Sequence, residues 1–271
     1  MPPTPAVTIG PLSAPANPAD RAELAYNAAR KCVYGPRKVS LMSTATHRLH
    51  AAQLQTLASF DSPTLANAME ACGRHMRLGH FVGYDIRCLY PDLPPSCGYA
   101  VTCRADSTTE GRTMERGLIQ LWELLANTPA PTIVVIQDVG TDRLHSCHCG
   151  EVMATTMKRL GAVGLLTDGG VRDLHEVRAL GSFQFFAPGL VVAHGNPLIF
   201  DIGVDVTISG VPIKTGDLLH GDANGLLKIP HDVAAELPAA AQEVRAREAE
   251  TLRRVLSPDF SPLAGPKKSE H

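Results

Sequence analysis

The chain has 271 residues, of which 44% are hydrophobic and 19% are charged, so it can bury a substantial core and has an ordinary globular composition. Its formal net charge is -2 and its aromatic content is 5%, which provides neither a basic surface for a phosphate backbone nor many rings for stacking bases. We therefore expect no nucleic-acid ligand. No apolar run approaches the roughly 20 residues that span a bilayer, so we expect no membrane partner.

The cysteines and the N-terminus favour a cytoplasmic location. There are seven cysteines, an odd number, and they are scattered along the chain. The N-terminus lacks the basic segment and apolar core of a signal peptide. A reducing compartment fits both features. The cysteines are Cys32, Cys72, Cys88, Cys97, Cys103, Cys147 and Cys149.

Residues 1–59 are predicted to form an N-terminal tail and helical extension. Asn17 suits a helix cap and Pro18 suits the first helical position, so a helix is expected to run to about Lys31. This helix precedes the main domain. We expect it either to decorate the core or to reach a neighbouring subunit.

Residues 60–231 are predicted to form the main domain, in which helices and short strands alternate, and residues 232–271 are predicted to form a helical tail. Helices are predicted at Ser62–Ala71, Gly111–Ala126, Gly150–Leu160 and Leu174–Leu180. Strands are predicted at Tyr84–Tyr90, Gly98–Arg104, Thr132–Gln137, Val163–Thr167 and Phe183–Ala187, with further strands to Ile229. In the tail, helix is expected from Asp232 to Val255, with a kink at Pro238.

One segment, residues 138–173, carries most of the chemical signal. It follows Thr132 to Gln137, a short β-branched run that is typical of a buried strand ending in a turn. Gly150 then opens an amphipathic helix. The next strand ends near Asp168, and two glycines lead to the Arg172-Asp173 pair. This order predicts that two strand ends and a helix N-terminus meet at one cleft.

The spacing of glycines and charged residues in this segment resembles the family that unites metal-dependent 4-hydroxy-4-methyl-2-oxoglutarate aldolases with the RraA-type regulators of ribonuclease E. The resemblance runs from about Phe60 to Pro230. It implies an α/β layered domain of the swivelling β/β/α type, which forms trimers or hexamers with active sites between subunits. The matching residues are Gly150-Glu151, Gly161-x-x-Gly164, Asp168-Gly169-x-Val171-Arg172-Asp173, Gly216-Asp217 and Gly221-Asp222-x-x-Gly225.

The resemblance also implies roles for individual residues. Arg172 is expected to contact the substrate and to stabilise charge, and Asp173 is expected to hold a magnesium (or manganese) ion. The general base remains open between Glu151 and a metal-bound water. A helix N-terminus can bind a carboxylate through its free N–H groups. The residues of that terminus are Gly150, Glu151, Val152 and Met153.

The implied reaction is the cleavage of a 4-hydroxy-2-oxo di- or tricarboxylic acid to pyruvate and a second oxo acid. In it the metal ion would act as Lewis acid for the developing enolate. Oxaloacetate decarboxylation passes through the same pyruvate enolate and is therefore expected as well. The alternative is a non-enzymatic regulator that binds and inhibits a ribonuclease, as the other branch of the family does.

Each of these residues also has a purely structural interpretation. Gly150 could simply permit a turn, and Glu151 could stabilise the helix dipole. Arg172 and Asp173 could form a surface ion pair, or Asp173 could cap the helix that starts at Leu174. The adjacent guanidinium and carboxylate, together with the family resemblance, favour the functional interpretation.

Other chemistries receive less support from the sequence. Four possible zinc ligands fall within five residues, too close together for all of them to bind one ion. Three lysines could form a Schiff base, but none lies in a run that indicates desolvation, so all three are expected to be solvated. No Gly-x-Ser-x-Gly or Gly-x-Gly-x-x-Gly pattern occurs. The zinc candidates are His145, Cys147, His148 and Cys149; the lysines are Lys158, Lys214 and Lys228.

Overall fold

The structure, a computed structural model, describes residues 48–111, 116–196 and 198–262. The predicted helix from Asn17 to Lys31 lies outside these residues. The described residues belong to one compact unit. None of the described helices is long and apolar enough to cross a membrane.

Six helices and twelve strands make up the described part of the chain. The helices are α1 (Ala51–Leu57), α2 (Ser62–Ala71), α3 (Gly117–Asn127), α4 (Glu151–Arg159), α5 (Leu174–Arg178) and α6 (Leu237–Val255). The strands are β1 (Arg87–Cys88), β2 (Ser96–Asp106), β3 (Thr132–Asp138), β4 (Cys147–Cys149), β5 (Ala162–Thr167), β6 (Gly170–Val171), β7 (Gln184–Ala187), β8 (Leu198–Phe200), β9 (Val206–Ile208), β10 (Val211–Ile213), β11 (Leu218–Asp222) and β12 (Gly225–Ile229).

The central feature is a mixed eight-stranded sheet with the order β1-β7-β5-β3-β2-β11-β12, and β8 pairs beside the end of β2. Strands β2, β3, β5 and β7 run parallel, so their carboxyl ends share one edge of the sheet. The segment before β1 brings the two outer edges together, because Phe81 bridges to Leu227 of β12 while β1 pairs with β7. The sheet is therefore nearly closed into a barrel.

Both faces of the central strands are covered, which explains the unbroken apolar run in β3. Val134 and Ile136 face a core formed with α3, α4 and α5. Ile133 and Val135 face the opposite way, toward the β9–β10 hairpin. A third core forms where α1, α2 and α6 pack on β11 and β12. The predicted α/β layered class with a mixed sheet is confirmed.

Several predicted elements are confirmed closely. Helix α2 has the predicted bounds, and the Asp61 side chain caps it by accepting a hydrogen bond from the Thr64 N–H (2.9 Å). Strand β3 ends one residue later than predicted, at Asp138. Helix α4 begins directly after Gly150, and Gly161 follows its end with φ of 96°.

Three predicted elements are wrong in their extent. Residues 84–86 form a turn, closed by a bond from Ile86 N–H to Gly83 O (3.1 Å), so only Arg87 and Cys88 are strand. Gly111 lies in a turn with φ of 71°, and α3 begins at Gly117. Pro238 produces no kink, because α6 begins at Leu237 and the proline occupies its first turn, where no hydrogen bond is lost.

A buried polar group ties α2 to β11. His220 Nδ1 lies 3.1 Å from Ser62 Oγ, and Asp222 Oδ2 accepts a bond from the Ser62 N–H (2.7 Å). Among the described residues, His220 Nε2 has no hydrogen-bond partner. Burial lowers the pKa of His220 to about 4, although the Asp222 carboxylate opposes the shift. The imidazole is therefore neutral in the folded protein at neutral pH.

This histidine should make the fold sensitive to acid. Below its unfolded pKa of about 6.5 the unfolded chain takes up a proton that the folded chain does not, so stability falls as pH decreases from about 7 toward 4. Between pH 7 and pH 5 the loss from this group should be about 2 kcal/mol. Urea unfolding at both pH values should show a weaker pH dependence for His220→Gln than for the wild type. Identical pH dependence would contradict the assignment.

Candidate active site

Two short parallel strands, β4 and β6, lie just beyond the carboxyl ends of the main strands and form a separate two-stranded sheet. Gly150 follows β4 directly, and Arg172 follows β6. The Arg172 N–H donates to Cys149 O (2.9 Å), which brings the two strand ends together. The sequence predicted that the ends of Thr132–Gln137 and Val163–Thr167, now β3 and β5, meet this helix N-terminus; the strand ends that meet it belong instead to β4 and β6, which were not predicted.

Asp173 connects the two chain segments. Its Oδ2 accepts a hydrogen bond from the Glu151 N–H (2.9 Å), so this carboxylate caps α4. Asp173 also occupies the N-cap position of α5, but its side chain makes no capping bond there. Its backbone is left-handed, with φ of 59° and ψ of 49°, a conformation that is strained for a non-glycine residue. The structural alternative, a cap by the Asp173 side chain on the helix that starts at Leu174, is therefore not observed; the side chain caps α4 instead.

Gly150 allows this close approach. A Cβ atom at this position would lie 2.4 Å from Asp173 Oδ2 and 2.9 Å from Arg172 Nε. Both distances are shorter than the contacts that Cβ atoms make in real proteins. A side chain at Gly150 would therefore force the Asp173 and Arg172 side chains to move.

Arg172 and Asp173 form an ion pair that solvent can reach. Arg172 Nε lies 3.5 Å from Asp173 Oδ2, and each side chain is 35% exposed. The pair matches the structural alternative of a surface ion pair, whose net stabilisation is small. Accessibility also leaves both groups able to bind a ligand.

The N-terminus of α4 adds hydrogen-bond donors to this place. The first intrahelical bond runs from the Ala154 N–H to Gly150 O (3.0 Å), so the N–H groups of Val152 and Met153 precede it. Glu151 is exposed and Val152 is 80% exposed, whereas Met153 packs against the core. The structure therefore brings all the predicted site residues together on one accessible surface.

Within the described ranges, no group of three or more His, Cys, Asp or Glu side chains could enclose a metal ion. The oxygen donors at the site are the carboxylates of Asp173 and Glu151. Magnesium is held by one or two carboxylates and keeps several waters, so these donors fit a hydrated magnesium or manganese ion. They do not fit an ion whose coordination positions must all be filled by protein ligands.

The structure assigns the zinc candidates other roles. His145 Nδ1 is paired with Asp142 Oδ2 (2.6 Å) and His148 with Asp138. Cys147 and Cys149 are buried, and burial raises the pKa of both thiols. Residues 147–149 form strand β4, which the sequence analysis missed because this short run resembled a cluster of ligands.

The three lysines considered for a Schiff base contact groups away from the site. The Lys158 Nζ group donates to Leu180 O, and Lys214 pairs with Asp205 (3.1 Å). Lys228 pairs with Asp217 (3.4 Å) and is only 21% exposed, so the prediction that all three are solvated is wrong for Lys228. None of these contacts involves the β4–β6 pair.

The sequence analysis assigned no role to three buried aspartates at the strand ends, although it named Asp168 in the family motif. Asp106, Asp138 and Asp168 lie at or just after the carboxyl ends of the adjacent strands β2, β3 and β5, and all three are buried. His148 pairs with Asp138 below the site, with side chains that are 1% and 0% exposed. An aspartate at the end of each apolar strand run was the available signal.

Replacing Gly150 with alanine should displace both charged side chains. The added methyl group would push Asp173 away from the Glu151 N–H, and loss of one hydrogen bond corresponds to roughly a five- to tenfold loss of protection. Amide hydrogen exchange at Glu151 measures this directly. Gly189→Ala is the matched control, because a Cβ there meets nothing within 4 Å. Unchanged protection of Glu151 in Gly150→Ala would contradict the geometry.

Comparison with known proteins gives the family context. The sequence model of the family described as RraA-like (Aldolase/RraA) matches residues 62–227, which is more than half of the chain. An uncharacterised protein of Methanocaldococcus jannaschii is 30% identical over 124 residues, which are 45% of this chain and 59% of that protein. A protein of Halalkalibacterium halodurans, provisionally named 4-hydroxy-4-methyl-2-oxoglutarate aldolase, is 34% identical over 102 residues, 37% of this chain and 48% of that protein.

A solved structure shows the same fold. RraAS2 of Streptomyces coelicolor, described as an unusual member of the RNase ES inhibitor RraA family, superposes with a TM-score of 0.60 at 22% identity, covering 76% of this chain and 98% of that one. The chain spans about half the length of the curated relatives that it matches. The family match and the shared fold together show that the protein belongs to the RraA-like (Aldolase/RraA) family.

Proposed function

We propose that this protein is a divalent-metal-dependent lyase that cleaves a 4-hydroxy-2-oxo di- or tricarboxylic acid to pyruvate and a second oxo acid. The observation that carries the proposal is the meeting of Arg172, Asp173 and the α4 N-terminus at one accessible point. A guanidinium, a carboxylate and free amide donors are the groups that a 2-oxo acid with a hard cation requires. The provisional aldolase name of the Halalkalibacterium halodurans relative supports the same reaction class.

Substrate binding follows from the exposed donors. The N–H groups of Val152 and Met153 would hold a substrate carboxylate, favoured by the positive end of the helix dipole. Arg172 would contact the 2-oxo oxygen and stabilise the negative charge that develops there as the carbon–carbon bond breaks. Its planar fork suits this task better than a point charge does.

Magnesium or manganese would be held by Asp173, with Glu151 beside it, and would supply Lewis-acid polarisation of the 2-oxo group. Asp173 Oδ2 is engaged by the Glu151 N–H (2.9 Å), which leaves the second carboxylate oxygen for the cation. That bond also fixes the orientation of the carboxylate. A supported ligand binds a metal more tightly than a mobile one.

Proton transfer requires a base near the substrate 4-hydroxyl. We assign it to Glu151, whose exposed carboxylate lies in the first turn of α4 next to the proposed carboxylate site. Removal of the hydroxyl proton lets the carbon–carbon bond break, the released oxo acid forms its carbonyl, and the electron pair passes into pyruvate enolate. Protonation of the enolate carbon then gives pyruvate. Decarboxylation of oxaloacetate gives the same enolate, so we propose that activity as well.

We further propose that the protein is a homotrimer or hexamer with this surface at a subunit contact. Leu144, Val152, Leu190 and Val192 are exposed on the segments that border β4 and β6. Exposed apolar side chains grouped in this way are typical of an interface. The C-terminal segment offers little further support, because Val233, Leu237 and Val244 are buried within their own subunit, whereas Leu252 is exposed.

The direct test is pyruvate release from a 4-hydroxy-2-oxo acid with Mg²⁺ or Mn²⁺, and its loss in EDTA. Asp173→Asn should abolish the activity, because the neutral amide loses most of the metal affinity. Asparagine keeps an oxygen that can accept the Glu151 N–H bond, so the fold should be retained. Asp205→Asn is a control, since Asp205 is an exposed carboxylate paired with Lys214 away from the site.

Full activity of Asp173→Asn, or undiminished turnover in EDTA, would refute the metal site. Absence of pyruvate release from the wild type, with either ion and several 4-hydroxy-2-oxo acids, would refute the lyase assignment. The family alternative, binding and inhibition of a ribonuclease, would then be the function to test.

Arg172→Lys should lower kcat/KM by roughly a hundredfold, which corresponds to about 3 kcal/mol of transition-state stabilisation. Lysine keeps the charge but cannot supply the bidentate fork. Arg178→Lys is the control, because Arg178 pairs with Asp92 at the surface through a similar fork. A value for Arg172→Lys within about threefold of wild type would remove this arginine from the mechanism.

A further inference from the structure

The two strands that carry the site are not part of the main sheet. Strands β4 and β6 pair only with each other among the strands of the described chain. Their link runs through the Gly170 N–H to Ser146 O (3.0 Å) and the Arg172 N–H to Cys149 O (2.9 Å). A shift of β4 would therefore move Gly150 and Arg172 together. Contacts outside the main sheet's ladder must fix this pair in place.

One such contact is the buried pair formed by His148, in the middle of β4, and Asp138, at the end of β3; Cys149 and Val171 also pack in the apolar core. His148 Nε2 lies 2.9 Å from Asp138 Oδ2, with side chains that are 1% and 0% exposed. Asp138 Oδ1 also accepts a bond from the Gly140 N–H (2.6 Å). Burial alone would raise the pKa of Asp138, but bonds from His148, Ser146 and Gly140 lower it on balance, so the carboxylate stays charged.

The histidine ring is also held from the other side. A Cβ at Gly169 would lie 2.4 Å from His148 Cδ2, so the ring packs directly on the backbone between β5 and β6. The Asp138 N–H donates to Asp168 Oδ1 (2.7 Å), which joins the ends of β3 and β5. The Cys147 N–H donates to Ser107 Oγ (2.9 Å), which joins β4 to the segment after β2. The His148 and Cys147 contacts hold β4 directly, and the bond to Asp168 holds the end of β3 that carries Asp138.

We propose that His148 is a positioning residue for the site: its buried bond to Asp138 fixes β4 against the sheet and thereby sets the relative positions of the α4 N-terminus and Arg172. The effect of this role on catalysis rests on the proposed function, but its effect on the structure of the site does not. His148 touches no substrate; it acts through the backbone of Cys149 and Gly150.

The chain offers a matched comparison. His220 is also a buried histidine with a short polar contact, to Ser62 Oγ (3.1 Å), and a nearby carboxylate, Asp222. It lies on β11, on the far side of β2 from β3, and contacts α2 instead of β4. Replacement of either histidine should lower the overall stability of the protein. Only His148 should affect the site.

The experiment is amide hydrogen exchange of the full-length, unligated protein with His148→Leu, His148→Gln and His220→Leu. In His148→Leu, exchange at the hydrogen-bonded amides of Glu151 and Arg172 should rise at least tenfold, while His220→Leu leaves these two amides within twofold of wild type. His148→Gln keeps an N–H donor toward Asp138 and should restore most of the protection. If His148→Leu does not fold, Asp138→Asn, which keeps volume and removes charge, takes its place.

Unchanged exchange at these amides in the His148 or Asp138 variant, or an equal rise in His220→Leu, would overturn the proposal. Once lyase activity is established, kcat of His148→Leu should fall at least tenfold at a temperature where both variants are folded, with kcat of His220→Leu within twofold. A wild type without lyase activity would refute the proposed function, yet the exchange result would still decide the positioning role.

Discussion

The hydrogen bond from the Glu151 N–H to Asp173 Oδ2 is the contact on which the site depends. It joins the start of α4 to Asp173. Two separate strand-to-helix connections therefore meet at one point. Asp173 makes this bond with its backbone in the left-handed conformation, which costs about 1–3 kcal/mol of conformational free energy. A side chain at Gly150 would displace the same carboxylate. One bond thus accounts for the glycine, the strained aspartate and the orientation of the carboxylate.

The larger fold supplies the frame for this contact. Parallel strands β2, β3 and β5 end at one edge of the sheet, and buried aspartates at or just after these ends hold the segments beyond them by side-chain to backbone bonds. The short β4–β6 pair contacts this polar layer through His148, while Cys149 and Val171 pack in the apolar core. Buried polar networks are costly unless every member is paired, and when paired they specify one arrangement. A precise site benefits from that specificity.

Much of the fold could be predicted from local signals. Strand β3 is an unbroken β-branched run because both of its faces are buried, and α2 carries its own cap and an apolar stripe. The meeting of Gly150 with Arg172 and Asp173 was also predictable, from the motif and the strand order. Their chemical roles remain predictions. The remaining features depend on tertiary contacts that the local sequence does not encode.

Three such features show why. Residues 147–149 are a strand only because Gly170 and Val171 pair with them from a distance. His148 resembled a metal ligand because its partner, Asp138, lies ten residues earlier at another strand end. The structural alternative for Asp173 was a cap on α5, but its side chain caps α4, and no local sequence pattern indicates a cap on a helix 22 residues before it.

The most direct test of the central claim is a crystal structure of the protein with Mg²⁺ and oxalate, a planar mimic of pyruvate enolate. We expect the cation on the Asp173 carboxylate, the oxalate against Arg172 and the amides of Val152 and Met153, and the bond from Glu151 to Asp173 intact. Oxalate and cation bound elsewhere, or a site in which Asp173 has left the Glu151 N–H, would contradict the account.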